Sequence, residues 1–141
     1  MPLLTPSNLI QSVMETLITK GIRVSVENSY HPQYSNPLAN KYTFAYRITI
    51  ENLSPATVQL LRRHWEIIDS NGIHREVEGE GVIGQQPILE PGETHQYVSW
   101  CHLTTAMGRM CGTYQMQDQY SKEVFSVKIP LFDLIAPFQL N

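Results

Sequence analysis

From Ile22 onward, apolar and polar residues alternate with a period of two, the spacing of a strand that buries one face. Ile22, Val24 and Val26 alternate with Arg23, Ser25 and Glu27. After a polar loop containing Pro32, Asn36 and Pro37, Tyr42, Phe44, Tyr46, Ile48 and Ile50 point one way. Thr43, Ala45, Arg47, Thr49 and Glu51 point the other. Five large apolar side chains on one face contribute on the order of 10 kcal/mol if fully buried, at ~1.5–3 kcal/mol each. A strand with one wet face is what an antiparallel sheet produces.

The next strand, Thr57 to Asp69, divides less cleanly. Leu61, Trp65 and Ile67 share a face with Gln59 and Arg63, whereas Val58, Leu60 and Ile68 share the other with Arg62, His64 and Glu66. Ser70-Asn71-Gly72 predicts a hairpin turn, because Asn-Gly tolerates the positive φ angles such turns require. Ile73 to Glu78 then returns as the partner strand. The connection from Gly79 to Gly92 exceeds a dozen residues, and loops of that length are disproportionately functional. Three more strands follow, Thr94 to Leu103, Arg109 to Gln117 and Glu123 to Leu131, the last two joined by the turn Asp118 to Lys122. Phe132 to Asn141, broken by Pro137, reads as an apolar extension without clear structure. Seven strands at even spacing predict an all-β fold, an antiparallel sandwich of immunoglobulin or fibronectin type III kind. A Greek-key connection would bring strands from the two ends of the chain together.

The first twenty residues follow another period. Ile10, Val13, Met14, Leu17 and Ile18 recur at spacings of three and four, with Ser7 or Asn8 placed to cap a short helix and Gly21 to stop it. The expected organisation is an N-terminal extension over residues 1–20, one domain over 21–137 and a tail over 138–141.

Composition narrows the function classes. The 141 residues suit one domain with a real core, and 42% hydrophobic with 16% charged residues describes an ordinary globular protein. The net charge is -3 and only Arg62-Arg63 cluster, which argues against nucleic acid. No apolar run approaches the roughly 20 residues of a membrane span. Without a recognisable export signal the expected location is cytoplasmic. Cys101 and Cys111 form no CxxC pair and are expected to be reduced, buried thiols.

Gly79-Glu80-Gly81-Val82-Ile83-Gly84 spells the letters of a dinucleotide-binding loop, which requires a following helix to hold the pyrophosphate. Pro87 and Pro91 prevent a helix there, so the motif is rejected as a cofactor fingerprint and no cofactor is expected. The glycines Gly79, Gly81 and Gly84 either shape bends or offer amides to an anion such as phosphate or pyrophosphate. Glu76, Glu78 and Glu80 alternate on one strand face. They are either weak divalent-cation ligands or a solvated face that discourages edge pairing. His31, His64, His74, His95 and His102 are dispersed, with no pair at ligand spacing. Cys101 and His102 are neighbours in a strand and point to opposite faces, so they cannot pair as nucleophile and base. No catalytic constellation stands out. Arg62, Arg63, Trp65 and Gln86 make a candidate interaction surface, Arg and Trp being the residue types that carry interface energy.

Several runs carry a resemblance. They are Val58-Gln59-Leu60-Leu61-Arg62-Arg63-His64-Trp65, Asp69-Ser70-Asn71-Gly72, Val77 to Pro87 around the glycines, Leu89-Glu90-Pro91-Gly92-Glu93, Tyr97-Val98-Ser99-Trp100, and Gly108-Arg109-Met110-Cys111-Gly112-Thr113-Tyr114. In this order, over roughly Ile22 to Pro137, the sequence closely resembles the ApaG family. The resemblance implies a fibronectin type III-like sandwich and no established enzymatic activity. It carries an association with cobalt and magnesium resistance under the label CorD. In eukaryotes similar domains sit in an F-box protein and a DNA-polymerase-interacting protein, as units that look protein-binding. The glycine motif is a hallmark of the family. Residues 1 to about 20 exceed its usual short start.

Two readings follow. One is a non-enzymatic protein-interaction module with an unidentified protein partner. The other is a binder of divalent cations or phosphate groups through the Gly79–Gly84 loop. Exposed β edges make a homodimer compatible with either.

Overall fold

A computed structural model describes residues 14–137. Among these residues, nine strands lie in two antiparallel sheets: β1 (Glu15–Thr19), β2 (Ile22–Tyr30), β3 (Tyr42–Asn52), β4 (Val58–Asp69), β5 (His74–Glu80), β6 (Ile88–Leu89), β7 (Thr94–Leu103), β8 (Met107–Asp118) and β9 (Val124–Ile135). The first sheet runs β1-β2-β3-β7; the second runs β5-β4-β8-β9, with β6 paired to β4. This is the all-β, fibronectin type III-like sandwich that the alternation predicts. The strands at the two ends of the chain meet: β9 packs along β1 and β2. Two bonds tie them there, from the Lys128 amide to Thr19 Oγ1 (3.2 Å) and from Asn28 Nδ2 to the Asp133 carbonyl (3.1 Å). On the opposite side, Arg75 of the edge strand β5 donates to the His102 carbonyl of β7.

The inward residues of β3, Phe44, Tyr46, Ile48 and Ile50, are buried as expected. Tyr46, Trp65 and Phe132 meet near the centre, with Trp65 edge-on to both other rings at centroid distances of 5.3 and 6.0 Å. Aromatic pairs in such arrangements add to their area burial.

Four expectations are corrected. Strand β1 replaces the C-terminal part of the expected helix: Leu17 and Ile18 pair with Val24 and Arg23. Lys20 (φ 50°) and Gly21 (φ 80°) make the two-residue turn into β2, the geometry favoured by twisted hairpins. Ile10 and Val13 lie outside the described residues. The hairpin expected at Ser70-Asn71-Gly72 forms between β4 and β5, but only Gly72, and not Asn71, takes positive φ (89°). Its amide bonds the Asp69 carbonyl at 3.0 Å and the Asp69 amide bonds the Ile73 carbonyl at 2.9 Å, a type I turn closed by a glycine bulge.

The mixed faces of β4 come from a bulge. Pairing with β8 shifts between Leu60 and Arg62, so Leu61 is an extra residue. Val58 and Leu60 point inward before it, and Arg63, Trp65, Ile67 and Asp69 after it. A second shift in the β8–β9 pairing falls at Pro130 and Leu131, where a residue without an amide fits a strand most easily. Beyond it Phe132 and Leu134 are buried at 2% and 0% exposure, so the supposed apolar extension is core strand up to Ile135.

Candidate functional site

The glycine motif resolves into two pieces. Gly79 is an ordinary strand residue of β5 whose missing side chain leaves room for Arg63. A Cβ there would stand 2.9 Å from both guanidinium nitrogens Nη1 and Nη2. Arg63 Nη1 donates to the carbonyls of Glu80 and Gly81, each at 3.0 Å. Gly81 (φ 62°) opens a tight turn, Ile83 (φ 47°) and Gly84 (φ 72°) form its centre, and Val82 and Gln85 close it with two reciprocal backbone bonds. A side chain at Gly81 would collide with the Gln85 carbonyl at 2.2 Å. The amides of Gly81, Val82 and Gln85 are bonded to the carbonyls of Leu61, Gln85 and Val82.

Of the four residues of the expected interaction surface, Arg63 and Trp65 line one cavity, and Arg62 and Gln86 lie outside it. Arg62 is exposed on the outer face of β4, while Arg63 turns inward. Trp65 is 3% exposed and belongs to the core. Gln86 is exposed and donates to the Leu61 carbonyl at 2.9 Å. Arg63, Tyr46, Tyr97, Ser99 and Gly84 line a cavity of about 240 Å³ at the open side of the sandwich. Beneath it the hydroxyls of Tyr97 and Tyr114 are hydrogen-bonded, and burial raises both phenols above their ordinary range.

Glu76, Glu78 and Glu80 do share the outer face of β5, opposite Glu66, His64 and Arg62 of β4. All three are exposed.

The most developed surface lies elsewhere, on the outer face of the first sheet. The segment 31–41 folds back over β3 and β7. The His31 amide bonds the Thr43 carbonyl at 2.9 Å, Ser35 Oγ donates to the His31 carbonyl at 2.8 Å and accepts from the Thr43 amide at 2.9 Å. Thr43 Oγ1 donates to the Tyr34 carbonyl at 2.8 Å and meets His102 Nδ1 at 3.0 Å. These bonds place His31 and Tyr34 against Trp100 of β7, edge-on at centroid distances of 4.8 and 5.5 Å. Trp100 is nevertheless 47% exposed and Tyr34 58%. One cavity of about 430 Å³ flanks the indole toward Ala45, Arg47 and Val98. Another of about 530 Å³ flanks it toward Lys41, Thr43 and His102.

This surface had a signal in the sequence. Within β7 Val98 and Trp100 share a phase with Gln96 and His102, so two apolar residues stand on the wet face. Neither cysteine is poised as a nucleophile. Burial pushes the Cys101 thiol up to about 11, and burial with the adjacent Glu66 carboxylate raises Cys111. Among the described residues no helix is long and apolar enough to cross a membrane.

The fold and these motifs have close counterparts. Residues 32–118 match the family described as the ApaG domain. A Brucella anthropi protein named ApaG is 51% identical over 126 residues, spanning 89% of this chain and 96% of that protein. A Brucella canis ApaG protein is 47% identical over the same shares of the two chains. The crystal structure of a Bordetella pertussis protein designated ApaA superposes with a TM-score of 0.80 at 42% identity, covering 84% of this chain and 95% of that one. With a family match over more than half its length and relatives this similar along nearly their whole sequences, the chain belongs to the ApaG domain family.

Proposed function

We propose that this chain is a non-enzymatic binding module that takes a protein partner on the outer face of its first sheet, with Trp100 as the anchor. The observation that carries the reading is a half-exposed indole held in place by two neighbouring rings. Tryptophan contributes disproportionately to interface energy, and a side chain already fixed loses little conformational freedom on binding. The cavities on either side of the indole leave room for neighbouring side chains of a segment crossing it, and the Glu27–Arg47 ion pair at 3.5 Å lines one of them. The raised thiols of Cys101 and Cys111 support the absence of cysteine chemistry. Affinity capture from the protein's own cells tests the reading. Trp100→Ala loses the partner, whereas Arg62→Ala on the other sheet keeps it. Equal capture by both variants would refute it.

A second reading is a small phosphate-containing ligand in the Arg63 cavity, favoured by a guanidinium beside the Ile83-Gly84 turn and the Tyr97 and Ser99 side chains. Here the guanidinium, rather than the glycine amides, is the main anion donor. Pyrophosphate titration followed by amide NMR should shift Arg63, Gly84 and Ser99; an unchanged spectrum at millimolar pyrophosphate would remove it.

A further inference from the structure

The outer face of the second sheet carries a cluster of unlike donors that neither reading uses. His64 and Glu66 stand two residues apart on β4 and face the same side. In the antiparallel register Glu66 lies between Glu76 of β5 and Cys111 of β8, and His64 lies beside Glu78. Imidazole and carboxylate atoms of His64, Glu66 and Glu76 all fall within 4.8 Å of one another. His64 Nε2 is 3.6 Å from a Glu76 oxygen and 3.8 Å from a Glu78 oxygen. Cys111 Sγ is 3.5 Å from Glu66 Oε2.

Two further observations separate this cluster from an ordinary acidic surface. The Nε2 atom of His64 is itself buried and has no hydrogen-bond partner, although the carboxylates of Glu76 and Glu78 lie within 4 Å of it. A buried ring nitrogen left unsatisfied is costly. Glu66 and Glu76 also oppose each other directly across two strands, an arrangement of like charges that destabilises a sheet. Basic residues nearby are directed elsewhere: Arg109 pairs with Asp133 at 3.1 Å, Arg75 reaches the His102 carbonyl, and Arg62 stands opposite Glu80. A bound cation would give the nitrogen a partner and neutralise the repulsion between the carboxylates at once.

We infer that His64, Glu66 and Glu76 form a site for a divalent transition-metal cation of the Zn²⁺ or Co²⁺ type, with Glu78 and the Cys111 thiol as adjacent donors. The imidazole selects such ions over Mg²⁺, which prefers oxygen ligands and water. Ligands of a tetrahedral ion stand about 3.4 Å apart, given bonds of ~2.0–2.2 Å. The His64 Nε2–Glu76 separation of 3.6 Å is already close to that value. The site does not rest on the Trp100 reading, since it occupies the other sheet.

The test uses the full chain stripped by a chelator and titrated calorimetrically with Zn²⁺, Co²⁺ and Mg²⁺ chlorides, with amide NMR alongside. One Zn²⁺ or Co²⁺ should bind per chain, with shifts confined to β4, β5 and β8 around His64, and Mg²⁺ should bind far more weakly. His64→Gln and Glu76→Gln should each weaken Zn²⁺ by at least roughly ten-fold, while Glu123→Gln, distant on the β8–β9 turn, changes nothing. The wild-type NMR map stands even if a variant misfolds. Saturation absent at millimolar Zn²⁺, shifts elsewhere, or Mg²⁺ binding as well as Zn²⁺ would overturn the inference, as would unchanged affinity in a folded His64→Gln chain.

Discussion

Gly79 and Arg63 occupy one space: the guanidinium lies where a Gly79 side chain would be, 2.9 Å from the position of its Cβ. The three motif glycines therefore do different jobs and should fail differently. Gly79→Ala displaces the flexible end of Arg63 from two carbonyls and should cost about 1 kcal/mol. Gly84→Ala meets nothing within 4 Å and should cost about 1–2 kcal/mol for its left-handed backbone alone. Gly81→Ala adds a collision with the Gln85 carbonyl to the same backbone strain. It should be the most destabilising of the three, by roughly 3 kcal/mol or more. Urea denaturation of the three variants gives the order directly. Equal losses would contradict this division of labour.

Asn52 is fully buried and ties two connections together. Its Nδ2 donates to the carbonyls of Ala56 (2.7 Å) and Leu89 (2.9 Å), and its Oδ1 accepts from the Ser54 amide (3.0 Å) and hydroxyl (2.6 Å). Asn52→Leu takes the side-chain partner from the Leu89 carbonyl and the Ser54 amide, the Ala56 carbonyl keeping the Ser54 hydroxyl at 3.2 Å, and should destabilise the protein by roughly 2–4 kcal/mol. Hydrogen exchange should concentrate the effect at the β3–β4 turn and β6. A loss spread evenly over both sheets would contradict the local role.

Alkaline stability follows from the buried thiol. An unfolded Cys101 loses its proton near pH 8.5, whereas the folded one keeps it to about 11. Stability is therefore intact below the unfolded value and falls as pH rises through this window, by about 2–3 kcal/mol at its upper end. Tyr97 and Tyr114, raised by burial, add losses of the same sign above the ordinary phenol range. Denaturant midpoints measured across pH 7–10 should decline, and Cys101→Ala should flatten the part of the decline below about pH 10. A flat wild-type profile would show that Cys101 is not held protonated.

Strand β3 shows what was legible in the sequence: its unbroken alternation from Tyr42 to Glu51 gave both the strand and its buried face. Elsewhere the phase jumped. The extra residue Leu61 reverses the inward set of β4, so no single assignment of faces could separate Arg62 from Arg63 or recognise Trp65 as core. The shift at Pro130 and Leu131 did the same to β9 and hid Phe132 and Leu134. Leu17 and Ile18 satisfy a helical spacing and a strand equally well over so short a segment, and pairing with β2 decided between them. For the surface sites the difficulty was three-dimensional. Glu66, Glu76 and Cys111 lie on three strands, and His31, Tyr34 and Trp100 are joined only because the segment 31–41 folds over β7. Glu76 and Glu78 were legible as a shared face, but their histidine neighbour was not.

The central claim concerns Trp100, and a binding isotherm tests it most directly. With the captured partner in hand, Kd is measured for the wild-type chain and for Trp100→Ala, whose folding is checked by the unchanged amide spectrum of β2 and β3. An anchoring indole predicts a loss of about 2 kcal/mol or more, a roughly thirty-fold rise in Kd. A folded Trp100→Ala chain that binds its partner as tightly as wild type would contradict the account.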